Sequence, residues 1–291
     1  MTPNKIFIIP YRNREKEKTL FITHMNYILE DIDKSYYEIF FVHQQDNRPF
    51  NRGAMKNIGF LAMRDKYPSN YKDITFIFND IDTYPRIKNI LNYNTTIGTI
   101  KHYYGFKFAL GGIFSIKGAD FEKCGGFPNL WGWGLEDNLI QGYAIKCGLT
   151  IDRSNFFDYR DSKNFIQLEN FSNRICSKKE PWLVENGNNN ETYHDINNLK
   201  YLIENNFIQV KNFTTKHDPT DEIYYKHNVL KEGRPLLDNK FNPNPNQKPK
   251  DKPKLMNKFI EQYENSFQIP LHNKSRVYYR NNINTRKIIF N

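Results

Sequence analysis

Asp73-Ile-Thr-Phe-Ile-Phe-Asn-Asp80-Ile-Asp82 is the stretch whose reading decides the architecture. Its apolar core is β-branched and aromatic and too short for a helix, so a strand is expected over Asp73–Asn79. Upstream, Lys5–Pro10 and Tyr37–His43 are runs of the same kind. Between them, Leu20, Phe21, His24, Met25, Tyr27, Ile28 and Leu29 recur at helical spacing within Glu15–Asp31, and a second helix is expected over Gly53–Asp65. Strands alternating with helices imply an α/β fold: a Rossmann-like, mainly parallel sheet with helices on both faces. Ligands of such sheets sit beyond the carboxyl ends of the strands. Three polar clusters fall there: Arg12/Arg14, Gln44/Gln45 and Asp80/Asp82.

Downstream come Gly111-Gly112, Gly125-Gly126 and Trp131-Gly132-Trp133-Gly134, then a helix over Asp137–Cys147. Asn186–Asn190 reads as a polar loop and Asn197–Ile208 as another helix. Phe241–Lys254 is a Pro-, Asn- and Lys-rich spacer, extended rather than folded. Residues 1–215 are expected to form the catalytic domain and 216–291 a basic extension. No internal repeat of usable period is present.

The 291 residues include 23 Phe and 19 Tyr, and 38% are hydrophobic, which rules out wholesale disorder. Mean hydropathy is −0.76 and no apolar run approaches the roughly 18 residues a membrane span needs. The start lacks the pattern of a signal peptide. Three cysteines, Cys124, Cys147 and Cys176, make neither a disulfide framework nor a zinc site. Together these features predict a soluble, cytoplasmic protein in a reducing compartment. The net charge is +10, of which +7 lies after Thr215, where 15 Lys and Arg face 8 Asp and Glu. Lysines scattered through an Asn- and Pro-rich segment read as solvated surface, which argues against nucleic acid as the main partner.

Asp80 and Asp82 are two apart on an extended segment, so both carboxylates project to one side and suit a hard divalent cation. Alone, such a pair is more readily a surface turn; its position behind a hydrophobic strand shifts the reading towards function. Arg12 and Arg14, after the first strand, offer guanidinium forks to phosphate, or else line a solvated loop. Phe50-Asn51-Arg52 adds an aromatic face and a third cation. In Trp131-Gly-Trp-Gly-Leu-Glu136-Asp137, glycines flank tryptophans able to cover a sugar, and two carboxylates follow at a helix start. One of them is a candidate general base, and a buried turn with an acidic helix cap is the plainer reading.

Read in order, Ile8-Ile-Pro10-Tyr-Arg12-Asn-Arg14, Phe50-Asn-Arg52, Phe78-Asn-Asp80-Ile-Asp82, Gly111-Gly112, Gly125-Gly-Phe-Pro-Asn129 and the Trp131–Asp137 stretch resemble the β-1,4-galactosyltransferase family. These are inverting, GT-A-fold glycosyltransferases of family 7. The resemblance implies that Pro10, Arg12, Arg14, Phe50 and Arg52 bind the uridine diphosphate of the donor. It implies that Asp82 is the Mn²⁺ (or Mg²⁺) ligand with Asp80 beside it, and that Asp137 is the base with Glu136 in support. Trp133 corresponds to the tryptophan of a closing loop, and Lys101, Ala109 and Gly112 to positions near the donor. The implied partners are a UDP-sugar and a glycan acceptor, with Gal, GalNAc or GlcNAc transferred. A binding module that kept the pocket and lost turnover is the alternative.

Several positions depart from the family pattern. Leu135 stands in place of a glycine, and Asn138 in place of a carboxylate. Ala109 falls where the family has a bulky tyrosine, leaving room for an N-acetyl group. The family's histidine metal ligand has no direct counterpart, and Glu169, Asn170 or His194 is expected to replace it.

Overall fold

The computed structural model describes residues 2–168, 173–185, 191–221 and 223–228. In chain order these form β1 (Lys5–Tyr11), α1 (Glu15–Ile28), β2 (Tyr37–Gln44), α2 (Arg52–Lys66), β3 (Thr75–Asn79), β4 (Thr83–Pro85), β5 (Thr99–Gly105) and β6 (Ile113–Lys117). There follow α3 (Gly118–Cys124), α4 (Glu136–Lys146), β7 (Thr150–Asp152), β8 (Phe157–Asp158), β9 (Phe165–Gln167), β10 (Arg174–Ser177), α5 (Glu180–Glu185), β11 (Asn197–Glu204), β12 (Phe207–Thr214) and β13 (Tyr224–His227).

The main sheet runs β11-β12-β2-β1-β3-β6-β5-β7, with β8 also on β5. Its centre is parallel, β1 pairing with β2 and with β3. β6 runs antiparallel to both β3 and β5. Alternation along β1 shows why both faces are covered. Ile6 and Ile8 enter one core with α2, α3 and α4, while Phe7, Ile9 and Tyr11 enter another with α1. Pro10 is tolerated at the end of this central strand because the pairing with β3 stops at Ile8–Phe78.

α2 is capped by Asn51, whose side chain accepts from Ala54 N at 2.8 Å. Gln44 accepts from Asn51 N (2.9 Å) and donates to Asp46 Oδ1 (2.7 Å) and Pro49 O (3.1 Å). The Gln44/Gln45 cluster therefore begins with a residue that shapes the loop leading into α2.

The helix expected over Asn197–Ile208 is replaced by the β11–β12 hairpin, whose second strand joins β2 in parallel. Along β11 the partly buried residues alternate: Leu199, Tyr201 and Ile203 face the core and Leu202 is exposed. That period of two is a strand's, and Asn205 turns the chain at φ 53°. The spacer, the rest of the extension beyond residue 228, the Asn186–Asn190 loop and the candidates Glu169 and Asn170 lie outside the described residues. The first part of the extension is engaged, since β13 pairs with β10.

Candidate active site

The ends of β1 and β3 and the starts of β6, α2 and α4 converge at the carboxyl edge of the sheet. β3 ends at Asn79, whose amide donates to Asp80 O and Thr83 O at 2.7 Å each, folding the acidic triplet back on itself. Antiparallel β6 brings Gly112 to the same edge, where its carbonyl accepts from Asp80 N at 3.1 Å. Gly112 has φ +69°, and a Cβ there would strike the Tyr104 carbonyl. The Asp82 carboxyl is pushed up by burial and by Asp80, against the pull of Arg14, Arg52 and Arg174.

α4 starts at Glu136, behind Leu135 at φ 72°, a left-handed conformation that an L side chain rarely adopts. Gly134 N donates to Glu136 Oε2 at 3.1 Å. α2 faces this helix start with two cations one turn apart. Arg52 Nε donates to Glu136 Oε1 at 2.7 Å, Nη2 donates to the same oxygen, and Nη2 lies 3.9 Å from Asp137 Oδ2. Lys56 Nζ donates to Asp137 Oδ1 at 3.1 Å and lies 3.8 Å from Asp80 Oδ1. The Glu136 and Lys56 side chains are 3% and 2% exposed, Asp137 19%.

This charge lattice sets the acidities. Burial raises Glu136, but Arg52 and Lys56 outweigh it and hold the carboxyl below the usual range. Asp137 is pushed up to about 6, by burial first; Lys56 counters, Glu136 adds, and Arg52 counters again. It thus titrates near the range where a general base works.

On the β1 side, Arg12 Nη1 donates to Arg48 O at 2.5 Å and its guanidinium lies 5.0 Å from the centre of the Phe50 ring. Arg14 pairs with Glu17 at 2.9 Å. The tryptophan segment is anchored at its start: Glu180 of α5 accepts from Trp131 N and from Gly132 N, the latter at 2.8 Å. Trp131 itself is buried, stacked on Phe213 and donating from Nε1 to Thr215 Oγ1 (2.9 Å) and His217 O (3.0 Å). Trp133 is half-buried, its backbone N–H donating to Ile175 O at 2.7 Å, and the Arg174 guanidinium lies 5.3 Å from its ring centre. Ala109 is buried, next to Leu110, whose N–H donates to Asp137 O at 2.8 Å.

The fold therefore gathers Arg52, Asp80, Asp82, Gly112, Glu136, Asp137 and Ala109 at one edge. Pro10, Arg12, Arg14, Phe50 and Trp133 lie on the loops and strand ends around it. Two candidates lie elsewhere. Lys101 stands early in β5, lining a shallow depression with Asn92, Asp152 and Asn155. His194 is exposed, its ring against Tyr193, which packs on Phe60 near the opposite end of β3. Among the described residues no group of three His, Cys, Asp or Glu stands ready for a metal. Asp80 and Asp82 still fit a hard cation: their oxygens are of the right class, and burial together with the Asp80 carboxylate opposes the ionisation of Asp82, which an arriving cation would relieve.

Two residues escaped the sequence reading. Lys56 had one signal, a single charge inside the apolar run Gly53–Met63 of α2. His102 is buried and neutral, pushed down to about 3 by burial and Arg153. Its Nδ1 accepts from Arg153 Nε at 3.0 Å while Nε2 donates towards Gly111 O (3.0 Å) and Tyr104 O (3.1 Å), bracing the glycine strip from behind.

Comparison with known proteins matches residues 2–94 to the N-terminal region of glycosyl transferase group 7, and residues 92–168 to a family described as the N-terminal domain of galactosyltransferase. Human beta-1,4-galactosyltransferase 1 is 28% identical over 220 residues, 69% of this chain and 53% of that protein. Beta-1,4-galactosyltransferase 4 of Cricetulus griseus is 33% identical over 182 residues, 56% of this chain and 51% of that protein. The chain thus spans about half the length of the relatives it matches. A crystal structure of a mutant Drosophila β-1,4-galactosyltransferase 7 with manganese, UDP-Gal and xylobiose shares the fold. It has a TM-score of 0.52 and 17% identity, covering 76% of this chain and 97% of that one. The sheet with its flanking helices is the GT-A fold expected. The cytoplasmic placement is corrected by the relatives, which are Golgi-type galactosyltransferases, typically lumenal and not cytoplasmic. Among the described residues no helix is long and apolar enough to cross a membrane, and three unpaired cysteines do not choose a compartment.

Proposed function

Because this chain belongs to glycosyl transferase group 7, we propose that it is a metal-dependent inverting glycosyltransferase. It moves Gal, GalNAc or GlcNAc from a UDP-sugar to the hydroxyl of a glycan. The observation that carries the reading is the placement of Asp137, a carboxylate still partly open to solvent, across from the Asp80/Asp82 pair and between two cations. The manganese and UDP-Gal bound by the fly relative support the same metal and donor class here.

Inversion takes one displacement at the anomeric carbon. The acceptor oxygen bonds that carbon as the bond to the diphosphate breaks, and the acceptor's proton passes to a base. Asp137 takes the proton, at the start of α4, while Glu136 holds Arg52 in place. Arg12, Arg14 and Arg52 line the diphosphate's path, and Pro10 and Phe50 flank the nucleoside. Asp82, with Asp80 beside it, would hold Mn²⁺ or Mg²⁺, which when bound supplies positive charge against the departing diphosphate. Trp133 covers the donor and limits its hydrolysis by water. Ala109 and Gly112 shape the sugar pocket, and the small Ala109 leaves room beside the sugar's C2 substituent. Lys101, which lines a separate depression, is left without a role in this reading.

The test is release of UDP from a panel of UDP-sugars with Mn²⁺ or Mg²⁺ and mixed glycan acceptors, with and without EDTA. Metal-dependent turnover with at least one pair is expected. Tight UDP binding without turnover for every pair would instead identify a nucleotide-sugar-binding module. Among the described residues no third His, Cys, Asp or Glu joins Asp80 and Asp82, and the candidates Glu169 and Asn170 lie outside them.

A further inference from the structure

Lys56 is the one buried cation of the cluster for which the proposed reaction supplies no role. Its side chain, 2% exposed, comes from the second turn of α2, four residues after Arg52 and on the same face. An ammonium is held in such a place only where carboxylates and polarisable groups replace its water. Here Asp137 Oδ1 lies at 3.1 Å, Asp80 Oδ1 at 3.8 Å and the centre of the Phe127 ring at 4.6 Å. Packing alone would be met by a methionine. The two oxygens of Asp137 are consequently unlike. Oδ1 accepts from Lys56, while Oδ2 has Arg52 Nη2 at 3.9 Å and rests over Gly111, where a Cβ would come within 2.6 Å of it.

We infer that Lys56 is a positioning residue for transfer, an internal ammonium that fixes the Asp137 carboxylate through Oδ1 and leaves Oδ2 to receive the acceptor's proton. The inference rests on the reading of Asp137 as the base. In the step, the acceptor oxygen bonds the anomeric carbon as the bond from that carbon to the diphosphate oxygen breaks, the diphosphate keeping the bonding pair, and the acceptor's proton ends on Oδ2. Lys56 keeps its own protons throughout. Arg52 does the corresponding work for Glu136, so a single helix face orients both carboxylates.

Lys56→Met keeps the side chain's length and removes its charge and donor. The expected result is a fall in kcat of about 10- to 100-fold, the worth of a charge-assisted hydrogen bond. Acceptor KM and Mn²⁺-dependent UDP affinity should stay within about twofold. A second readout needs no turnover: in the free protein, ¹³C NMR of the Asp137 carboxyl should show its titration midpoint moved upward in the variant. Should the methionine variant not fold, Lys56→Gln is measured in its place. A kcat within twofold of the unaltered protein, or an unmoved midpoint, overturns the inference. A moved midpoint in a protein that transfers no sugar leaves the Lys56–Asp137 tie standing and sinks the proposed function instead.

Discussion

Asp137 concentrates the chemistry in one side chain, and its acidity yields a signed expectation. Burial raises the carboxyl to about 6 while Lys56 restrains it. The ionised form is the base, so transfer should be full above that pH and fall about tenfold per unit below it, visible as the acid limb of kcat/KM. Asp137→Asn should reduce transfer by about 100- to 10,000-fold, the range for a general base, with UDP–Mn²⁺ binding by calorimetry nearly intact. Unchanged transfer would remove Asp137 from that role. Asp82→Ala should abolish Mn²⁺-dependent UDP binding, and full retention would place the cation elsewhere. At this scale the acidic pairs were legible because each lies within three consecutive residues, directly after β3 or at the start of α4. Lys56 was not, since nothing near residue 56 says that residue 137 will be folded against it.

At the scale of elements, the geometry depends on how α2 enters the sheet. Gly53, in its first turn, lies so close to the Pro128 carbonyl oxygen that an added Cβ would overlap it. Gly53→Ala should therefore destabilise the fold by about 1–3 kcal/mol, as overpacking against fixed backbone does, and displace Arg52 and Lys56 together. Chemical denaturation checks the first effect and UDP affinity the second. The αβ units were readable from their periods, because apolar runs of five to eight residues and helices of eleven or more are distinct. The β11–β12 hairpin was misread because Leu199, Tyr201, Leu202 and Ile203 fit a helical stripe as well as an alternating one. The deciding signal was the Asn205-Asn206 turn, read as part of a helix instead of as a stop.

For the whole molecule, the test concerns where the folded unit stops. The expected boundary after Thr215 leaves out His217, whose carbonyl receives the Trp131 indole N–H, and β13, which pairs with β10 behind Trp133. A chain ended at Thr215 should lose these contacts and melt at least about 5 °C lower, since each kcal/mol shifts Tm by roughly 2–4 °C in a domain of this size. An unchanged Tm would show the unit to be complete without them. Sequence composition marked this region as basic and low in pattern, and short strands that pair across 50 residues leave no local trace in it.

The strip at Gly111 and Gly112 has a consequence of its own. Because neither position has space for so much as a methyl group, the wall it forms is bare amide. Such a surface neither gains nor loses protons in water, and side-chain variation cannot re-dress it. Over evolutionary drift this patch should keep one polarity and one contour, so a change of sugar preference has to come from the side chains beside it, Ala109 among them.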